Sequence, residues 1–441
     1  MSRTVSFTTL GCRLNQVDTR EMQGLLEARG FRTVPFEEAA DVVVVNTCTV
    51  TARAEFSDRQ AIRRAARVSP GARLVVTGCW AQTSPAEVAA TGGVDLIVGN
   101  GDKHRLPDLL EGLLGADRPG RQPEVAISPI AEARTVPLAP LGRALGRSRA
   151  FVKVQDGCQH RCAFCIVPLA RGASRSVPPA AVVERVQRLV ESGHPEVTLT
   201  GIDLGHYGTD LVPRVTLAGL LGELVGIRGL HWLRLSSLLP AYFTEPLLEV
   251  VTEAPVIAPH FHVPLQSGSD GVLRRMRRPY TAGMYRRLVD RLARALPGLG
   301  LGADVIAGFP GETDADFAAT LDLVDALPFS YLHVFPYSAR RGTEAACLGG
   351  ALDGHTVTRR ARVLRERGRA RSLAFRRGLV GTTAETLVLE TRDRATGTLT
   401  GLTGNYVEVA FDGPASLMGR LARVRITGAG AARATGELAD G

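Results

Sequence analysis

Three times before residue 80 an apolar run of strand length ends at a cysteine and passes into a segment whose apolar residues recur at helical spacing. The runs are VSFTTL before Cys12, DVVVVNT before Cys48 and RLVVTG before Cys79; a fourth, VDLIVG, ends at Gly99 without a cysteine. Between them VDTREMQGLLEARG and RAEFSDRQAIRRAARV read as helices. This alternation predicts a parallel βαβ sheet, whose right-handed crossovers bring all strand ends of one sense to one edge, where open α/β sheets bind ligands. A lone cysteine is usually a small buried apolar residue. Three at equivalent places in successive βα units are better explained as one shared site.

A proline-, glycine- and arginine-rich stretch, 118–149, reads as a linker that ends a first domain over 1–117. Six strand-like runs follow: FVKVQ, EVTLT, HWLRLS, HFHV, LGADVI and YLHVF. They alternate with helix-like stretches such as PPAAVVERVQRLVES, TLAGLLGELVGI and DADFAATLDLVDAL. Six βα units are too few for a closed eight-stranded barrel, so a partial barrel is expected over 150–375, with its active site at the carboxyl ends of the strands. Just after the first of those strands, QDGCQHRCAFC places Cys158, Cys162 and Cys165.

Two kinds of metal centre compete for that loop. Structural zinc takes four ligands, commonly from two paired knuckles, and here there is one triplet; His160 inside the loop reads as solvent-facing rather than as a fourth ligand. Electron-transfer 4Fe-4S clusters use four thiolates. A cluster held by three leaves one iron open for a substrate or cofactor.

Composition narrows the setting. The 441 residues are 45% apolar without an uninterrupted membrane-length run, which predicts a chain without membrane spans. The opening MSRTVSFTTLGC has no leader pattern, so a cytoplasmic protein is expected. Seven cysteines in so long a chain argue for ligand or catalytic roles rather than a disulfide framework. The net charge of +9 suggests a polyanionic partner, although its cations are arginine except for Lys103 and Lys153, a skew that a GC-rich genome also produces. Locally the signal is sharper: Arg359 to Arg377 carries nine arginines against one glutamate.

CxxxCxxC at the end of the first strand of a six-unit barrel resembles the radical-SAM superfamily, and the Cys12, Cys48 and Cys79 domain ahead of it resembles the methylthiotransferases within it. PLQSGSDGVLRRMRRPYT, DVIAGFPGET and FPYSARRGTEAA agree, and the resemblance runs over nearly the whole chain. TLGCRLNQVDT, VVNTCTVT, TGCWAQTSP and CAFCIVPLARG look most like the branch acting on N6-threonylcarbamoyladenosine beside the tRNA anticodon. Sister branches act on isopentenyladenosine in tRNA and on an aspartate of a ribosomal protein. A rival from another class is a non-catalytic iron-sulfur protein that binds RNA and senses redox state or iron.

The resemblance implies two 4Fe-4S clusters. One, on Cys158, Cys162 and Cys165, binds and cleaves S-adenosylmethionine to a 5′-deoxyadenosyl radical; the other, on Cys12, Cys48 and Cys79, carries the sulfur to be inserted at C2 of adenine. It also implies tRNA as substrate, a flavodoxin- or ferredoxin-like electron donor and a sulfur donor. Phe164 stands where the family contacts the adenine of S-adenosylmethionine. Many radical-SAM enzymes have Gly-Gly-Glu after the second barrel strand; this chain has Thr200, Gly201, Ile202 and Asp203, with Asp203 either replacing the carboxylate or capping a turn. Gln266 and Ser267 at the end of the fourth strand and Asp304 in the fifth suit polar contacts to cofactor or nucleotide. Gly308 opens GFPGE, expected as a tight turn close to a ligand. Arg277, Arg278, Arg340 and Arg341, in RRMRRPYT and SARRGT, are candidate partners for the threonylcarbamoyl carboxylate. Cys347 reads as a bystander.

Over 376–441 the pattern changes to short strands, ETLVLET, GTLTGLT, NYVEVAF and GRLARVRIT, which predict a small β-barrel. In the family this piece is a TRAM domain. Tyr406 and Phe411 are among its few aromatics, so phosphate contact from Arg392, Arg394, Arg420, Arg423 and Arg425 is expected over base stacking. The last dozen residues, GAARATGELADG, are expected to form a frayed tail.

Overall fold

A computed structural model describes residues 2–115, 122–139 and 148–439. By contact they divide into two compact units. The first holds the residues up to 139 together with Gln155–Val177 and Ser338–Ala346; the second holds 148–154, Pro178–Tyr337 and the chain from Cys347 onward. This division differs from the one drawn along the sequence. The second cysteine loop belongs with the N-terminal sheet, and the C-terminal barrel belongs with the six-strand body.

The first unit is built on a six-stranded, all-parallel sheet in the order Arg32–Thr33, Thr4–Thr9, Val42–Thr47, Arg73–Gly78, Leu96–Val98, Glu124–Ala126. The VVVV run shows why it forms. Alternate side chains point to opposite faces of a strand, so Val42 and Val44 pack with Met22, Leu26, Leu106 and Leu110 on one side. Val43 and Val45 pack with Ile62, Trp80 and Val88 on the other. All four valines are 0–2% exposed, and each such burial stabilises by roughly 1.5–3 kcal/mol. The strand Glu124–Ala126 lies inside the stretch read as a linker. Its three residues are too short to give a periodic signal, and they add an edge to the sheet by pairing with Leu96–Val98. Within that stretch 118–121 and 140–147 lie outside the described residues.

In the second unit the six expected strands appear as Arg149–Lys153, Glu196–Thr200, Trp232–Leu235, His260–His262, Gly300–Ala307 and Tyr331–Pro336. All pairings among them are parallel, and a Leu233–Ile257 bridge ties the first three-stranded half to the segment that leads into His260–His262. Helices Pro179–Glu191, Leu217–Leu224, Ala282–Ala295 and Asp314–Ala326 alternate with them. The last begins at Thr313, which makes a reciprocal capping box with Asp316.

The C-terminal piece is a closed five-stranded barrel, one strand more than the sequence suggested. The additional strand, Ala434–Leu438, comes from the segment expected to fray. It pairs parallel to Glu408–Phe411 and antiparallel to Leu421–Ala429, which closes the barrel and leaves no open edge. Ala434 is fully buried in the barrel core, and a Cβ on Gly436 would meet Val424 Cγ1 at 2.6 Å. Small residues, which look like a tail in sequence, are what this crowded closure requires. Among the described residues no helix is long and apolar enough to cross a membrane.

Candidate iron-sulfur and nucleotide site

In the first unit Cys12 caps helix Arg13–Ala28, Cys48 follows Val42–Thr47, and Cys79 opens the short helix Cys79–Thr83 directly after Arg73–Gly78. The three strand ends are brought together. A Cβ on Gly11, whose φ is +96°, would lie 2.8 Å from Cys48 Sγ. Gly78, at φ +100°, has its Cα so close to the Thr47 backbone that any side chain would collide with it. Both glycines are demanded by close approach of the strand ends, not by turn geometry alone.

Buried amides lock this edge. Asn15 Nδ2 donates to the Leu10 and Thr47 carbonyls at 2.8 and 2.9 Å, tying the Cys12 loop to the Cys48 strand. Asn46 Nδ2 returns the link by donating to the Asn15 carbonyl at 2.9 Å. Thr47 Oγ1 donates to the Thr77 carbonyl and so joins the Cys48 and Cys79 strands.

The thiols feel one another. Burial, reinforced by Cys79 and Cys12, pushes the Cys48 thiol up to about 12. Cys12 is open to solvent on one side, yet the protein crowding it pushes its thiol above the usual range, against the pull of the Arg171 guanidinium. Cys12 and Cys48 thus resist ionisation as free thiols, and a cation bound among the three convergent soft donors would replace their protons. The donor set fits an iron-sulfur cluster with three protein ligands.

Cys158, Cys162 and Cys165 lie in the same unit, on a loop between the two-residue strands Gln155–Asp156 and Arg175–Ser176. Gly157 is left-handed and abuts the Ala173 carbonyl, and Cys158 N–H donates to the Gly172 carbonyl at 3.0 Å, so the loop is pinned at both ends. Its three cysteines and Phe164 are partly exposed, as ligands open to an incoming group must be. Arg171, at the end of the helix that follows, is buried in four hydrogen bonds to Asp156, Asn15 and Asp18. Lys103 Nζ joins it on Asp18 at 2.7 Å.

Arg340 also belongs to this unit, and here the structure corrects the sequence reading. Its guanidinium is paired with Glu55 and donates to Thr49 Oγ1, beside Cys48, so its charge is already committed within the protein. Arg341 is exposed.

In the second unit, Thr200 is buried in its strand, and Gly201 N–H faces Ser236 Oγ at 3.4 Å. Asp203 is buried and makes no side-chain cap; its carboxylate is paired with His206, whose Nδ1 also lies 2.7 Å from the Tyr242 hydroxyl. Gln266 has φ +64°, a region non-glycine residues rarely occupy. Its backbone bonds to Asp304 and Ile306 hold that strain, and its Oε1 is buried without a hydrogen-bond partner among the described residues. Ser267 Oγ instead lies against Thr320.

Asp304 lies across from His333 in register, with His262 on the other flank, and its Oδ1 is 3.1 Å from His262 Nε2 and 3.3 Å from His333 Nδ1. Burial alone would raise its pKa, but these two hydrogen bonds hold its carboxyl well below the usual range. Leu332, on the opposite face of that strand, packs under Gly368 of helix Gly354–Gly378. Asp304, His262 and His333 therefore line the face turned away from that helix.

Gly308 is left-handed as expected, but its close neighbour is Val357, whose Cγ2 would lie 2.6 Å from a Cβ there. The turn is closed from within: Glu312 accepts from Gly308 N–H at 2.9 Å and pairs with Arg360 at 2.6 Å. Arg277 is exposed at φ +57°, while Arg278 lies over Tyr280 and donates to its hydroxyl at 2.9 Å.

The expected phosphate contacts separate by burial and pairing. Arg360 and Arg376 are buried, the latter donating to the Gly430 and Ala431 carbonyls at 3.0 and 2.7 Å. Arg367 pairs with Asp325, while Arg365 and Arg371 donate to the Val334 and Leu327 carbonyls. Arg359, Arg362, Arg369 and Arg377 are exposed, with no hydrogen-bond or ion-pair partner among the described residues. At 100° per residue they fall within about a quarter of the helix circumference, along about 27 Å of its length. In the small barrel Arg392 is spent on the Gly397 and Gly413 carbonyls, whereas Arg423 and Arg425 alternate outward on one strand. Tyr406 stacks on His260 at 4.3 Å and Phe411 is in the barrel core, so neither is presented to a base.

The residues that sequence reasoning missed are Asn15, Asp18, Lys103, Arg171, His206, His262 and His333. For Lys103 a signal existed: in a chain whose cations are otherwise arginine, its two lysines, Lys103 and Lys153, are both buried.

Residues 4–99 match the uncharacterized protein family UPF0004, and residues 152–324 match the radical SAM superfamily. Over 432 residues the chain is 39% identical to the threonylcarbamoyladenosine tRNA methylthiotransferase MtaB of Bacillus subtilis, covering 97% of this chain and 94% of that one. It is 39% identical over 422 residues to the MtaB of Aquifex aeolicus, with 96% and 100% covered. It is 37% identical over 445 residues to the tRNA-2-methylthio-N(6)-dimethylallyladenosine synthase of Moorella thermoacetica, with 100% and 99% covered. Among solved structures, the radical S-adenosylmethionine methyltransferase TsrM from Kitasatospora setae shares the fold with a TM-score of 0.56 at 20% identity, over 76% of this chain and 72% of that one. An enzyme is therefore expected in place of a redox or iron sensor, and the chain belongs to the radical-SAM methylthiotransferase family, in its MtaB branch.

Proposed function

We propose that this enzyme methylthiolates C2 of N6-threonylcarbamoyladenosine at position 37 of tRNA, using S-adenosylmethionine and two 4Fe-4S clusters, one on each cysteine triplet. The observation that carries the two-cluster reading is the convergence of Cys12, Cys48 and Cys79 at one sheet edge, with glycine at Gly11 and Gly78 where any side chain would intrude. The names and full-length coverage of the MtaB relatives support the substrate.

The cluster on Cys158, Cys162 and Cys165, with S-adenosylmethionine, supplies a carbon radical able to take the unactivated C2 hydrogen that no side-chain base can remove. The chain's own residues bind and orient. Phe164 offers a partly exposed ring for an adenine. Gln266 offers a buried Oε1 with no partner among the described residues, and Asp304 an ionised carboxylate fixed by two imidazoles, both suited to accept N–H donors of cofactor or base. Asp203, paired with His206, is the candidate to replace the carboxylate that many radical-SAM enzymes offer to the methionine amino group. Thr200, Gly201 and Gly308 shape the adjoining strand ends. Arg277, Arg278 and Arg341 remain as partners for the threonylcarbamoyl carboxylate, with Arg340 removed from that set by Glu55.

The arginine stripe Arg359, Arg362, Arg369 and Arg377, with Arg394, Arg420, Arg423 and Arg425 on the TRAM-like barrel, supplies phosphate contacts to tRNA. An electron donor of the flavodoxin or ferredoxin kind and a sulfur donor are required, because reductive cleavage consumes an electron and each product carries sulfur away. The cytoplasm, with its tRNA and reducing thiol pool, is the compartment that suits these needs.

A second reading, isopentenyladenosine as substrate, is favoured by the 37% identity to the dimethylallyladenosine synthase of Moorella thermoacetica. Three tRNAs differing only at position 37 decide between the two. A site with donors built for a carboxylate rejects a substrate lacking it by roughly 10⁴-fold. Methylthiolation confined to the threonylcarbamoyl form is expected; equal turnover of the isopentenyl form moves the enzyme to the sister branch. For the clusters, alanine at Cys12, Cys48 and Cys79 should remove about half the reconstituted iron and stop sulfur insertion, while release of 5′-deoxyadenosine continues. Full iron and full methylthiolation in that variant would refute the N-terminal cluster.

A further inference from the structure

Asp18, Lys103 and Arg171 are buried together behind the cysteines, with half-buried Asp156 beside them. Arg171 is 1% exposed; its Nη1 lies 3.0 Å from both carboxylate oxygens of Asp156, and its Nη2 lies 2.6 Å from Asn15 Oδ1 and 2.9 Å from Asp18 Oδ2. Asp18 also accepts from Lys103 Nζ at 2.7 Å. Two cations and two carboxylates cancel formally, yet each buried ion costs several kcal/mol of desolvation, and apolar side chains of equal volume would fold as well. Stability alone does not call for this set.

Its placement does. Asp156 is two residues before Cys158, Asn15 three residues after Cys12, and Asp18 three further on. One guanidinium thus holds the root of one cysteine loop to the helix that Cys12 caps. Its charge lies within electrostatic reach of Cys12 and Cys79. Arg171 Nε is buried without a hydrogen-bond partner among the described residues, a spare donor.

We propose that Arg171 is a positioning residue that locks the Cys12 corner to the Cys158 loop and, with Lys103, holds the reduction potential of the N-terminal cluster up. The proposal rests on the reading of Cys12, Cys48 and Cys79 as cluster ligands. Reduction adds negative charge, so a buried cation nearby favours the reduced state and a buried anion opposes it.

The test uses the full chain with Cys158, Cys162 and Cys165 replaced by alanine, leaving one triplet to bind iron, reconstituted anaerobically and titrated for iron and midpoint potential. Arg171→Gln should shift the potential negative, Arg171→Lys should leave it near the parent value, and Asp18→Asn should shift it positive. Opposite signs from the two members of one ion pair are not produced by simple loosening of the fold. If Arg171→Gln does not retain iron, Lys103→Gln reads the same charge from the other side of Asp18 and should also shift the potential negative. Shifts of the same sign for cation and anion removal, or no shift in a variant that holds its iron, overturn the proposal and leave the ligand reading intact. A parent that binds no iron refutes the ligand reading and the proposal together.

Discussion

At the sheet edge three identical side chains, Cys12, Cys48 and Cys79, occupy three equivalent strand ends and meet. Along helix Gly354–Gly378 nine arginines share one element and split into two populations. The difference is one of chemistry. A lone cysteine serves commonly as a small apolar filler, but three of them in repeated positions point one way, to a shared ligand role. A guanidinium has five donors and a long apolar stem, and it serves equally as a carbonyl cap, a buried counter-ion or a phosphate contact. Position in the fold, which the sequence does not display, decides which.

The two arginine populations can be broken separately. Arg360 is the buried partner of Glu312, whose carboxyl burial already pushes upward against the arginine's pull. Arg360→Ala strands that carboxylate and also removes the donor to the Glu312 carbonyl. A loss of about 3–5 kcal/mol is expected in denaturant unfolding. Arg362→Ala, two residues on and exposed, should stay within about 0.5 kcal/mol of the parent. Equal losses would mean that the division by burial is wrong. Cutting the chain before this helix would remove both populations together, so point substitutions are the sharper instrument.

The cysteine edge has its own breaking point. Gly78→Ala adds a Cβ against the Thr47 backbone at a left-handed position, where alanine is strained even in open space. The strands bearing Cys48 and Cys79 must then part. The expected result is loss of about half the reconstituted iron with 5′-deoxyadenosine release retained, since the other triplet uses none of these strand ends. Retention of all the iron would show that the edge tolerates a spacing its packing denies.

These contrasts explain what was legible beforehand. The parallel sheet and the six barrel strands were visible because buried valine and leucine runs carry their own period, and VVVV could have gone nowhere else. The edge strand Glu124–Ala126 and the closing strand Ala434–Leu438 were not, because neither has a pattern of its own: one is three residues long, and the other is ATGEL, small at Ala434 and Gly436 where the barrel crowds it. At the site, the cysteines were legible by type and repetition. Asn15, Asp18 and Arg171 were not, because their importance lies in hydrogen bonds spanning more than 150 residues of sequence. Gly308 was read as a ligand turn when its conformation answers to Val357, since a glycine reveals the need for space and not what fills it.

If the exposed population binds phosphate, its removal should act on tRNA and on nothing else. Replacing Arg359, Arg362, Arg369 and Arg377 together by glutamine should lower the slope of log affinity against log salt by about 4 in magnitude, at roughly one released counterion per contact. The unfolding midpoint should not move, because these side chains have no partners to lose among the described residues. An unchanged slope would make the stripe a solvated face.

The smallest effect is the most discriminating, because it separates two exposed arginines two residues apart. Arg369 lies on the stripe, while Arg367 is turned toward Asp325, with 3.2 Å between Nη1 and the carboxylate. That surface pair is worth little to stability, so neither Arg369→Gln nor Arg367→Gln should cost more than about 0.5–1 kcal/mol. In tRNA binding they should part: Arg369→Gln is expected to reduce the salt slope by about 1, whereas Arg367→Gln leaves it unchanged, because its charge is already neutralised within the protein and points off the stripe. Equal reductions from both would mean that the polyanion reads the total charge of the helix and not one face of it.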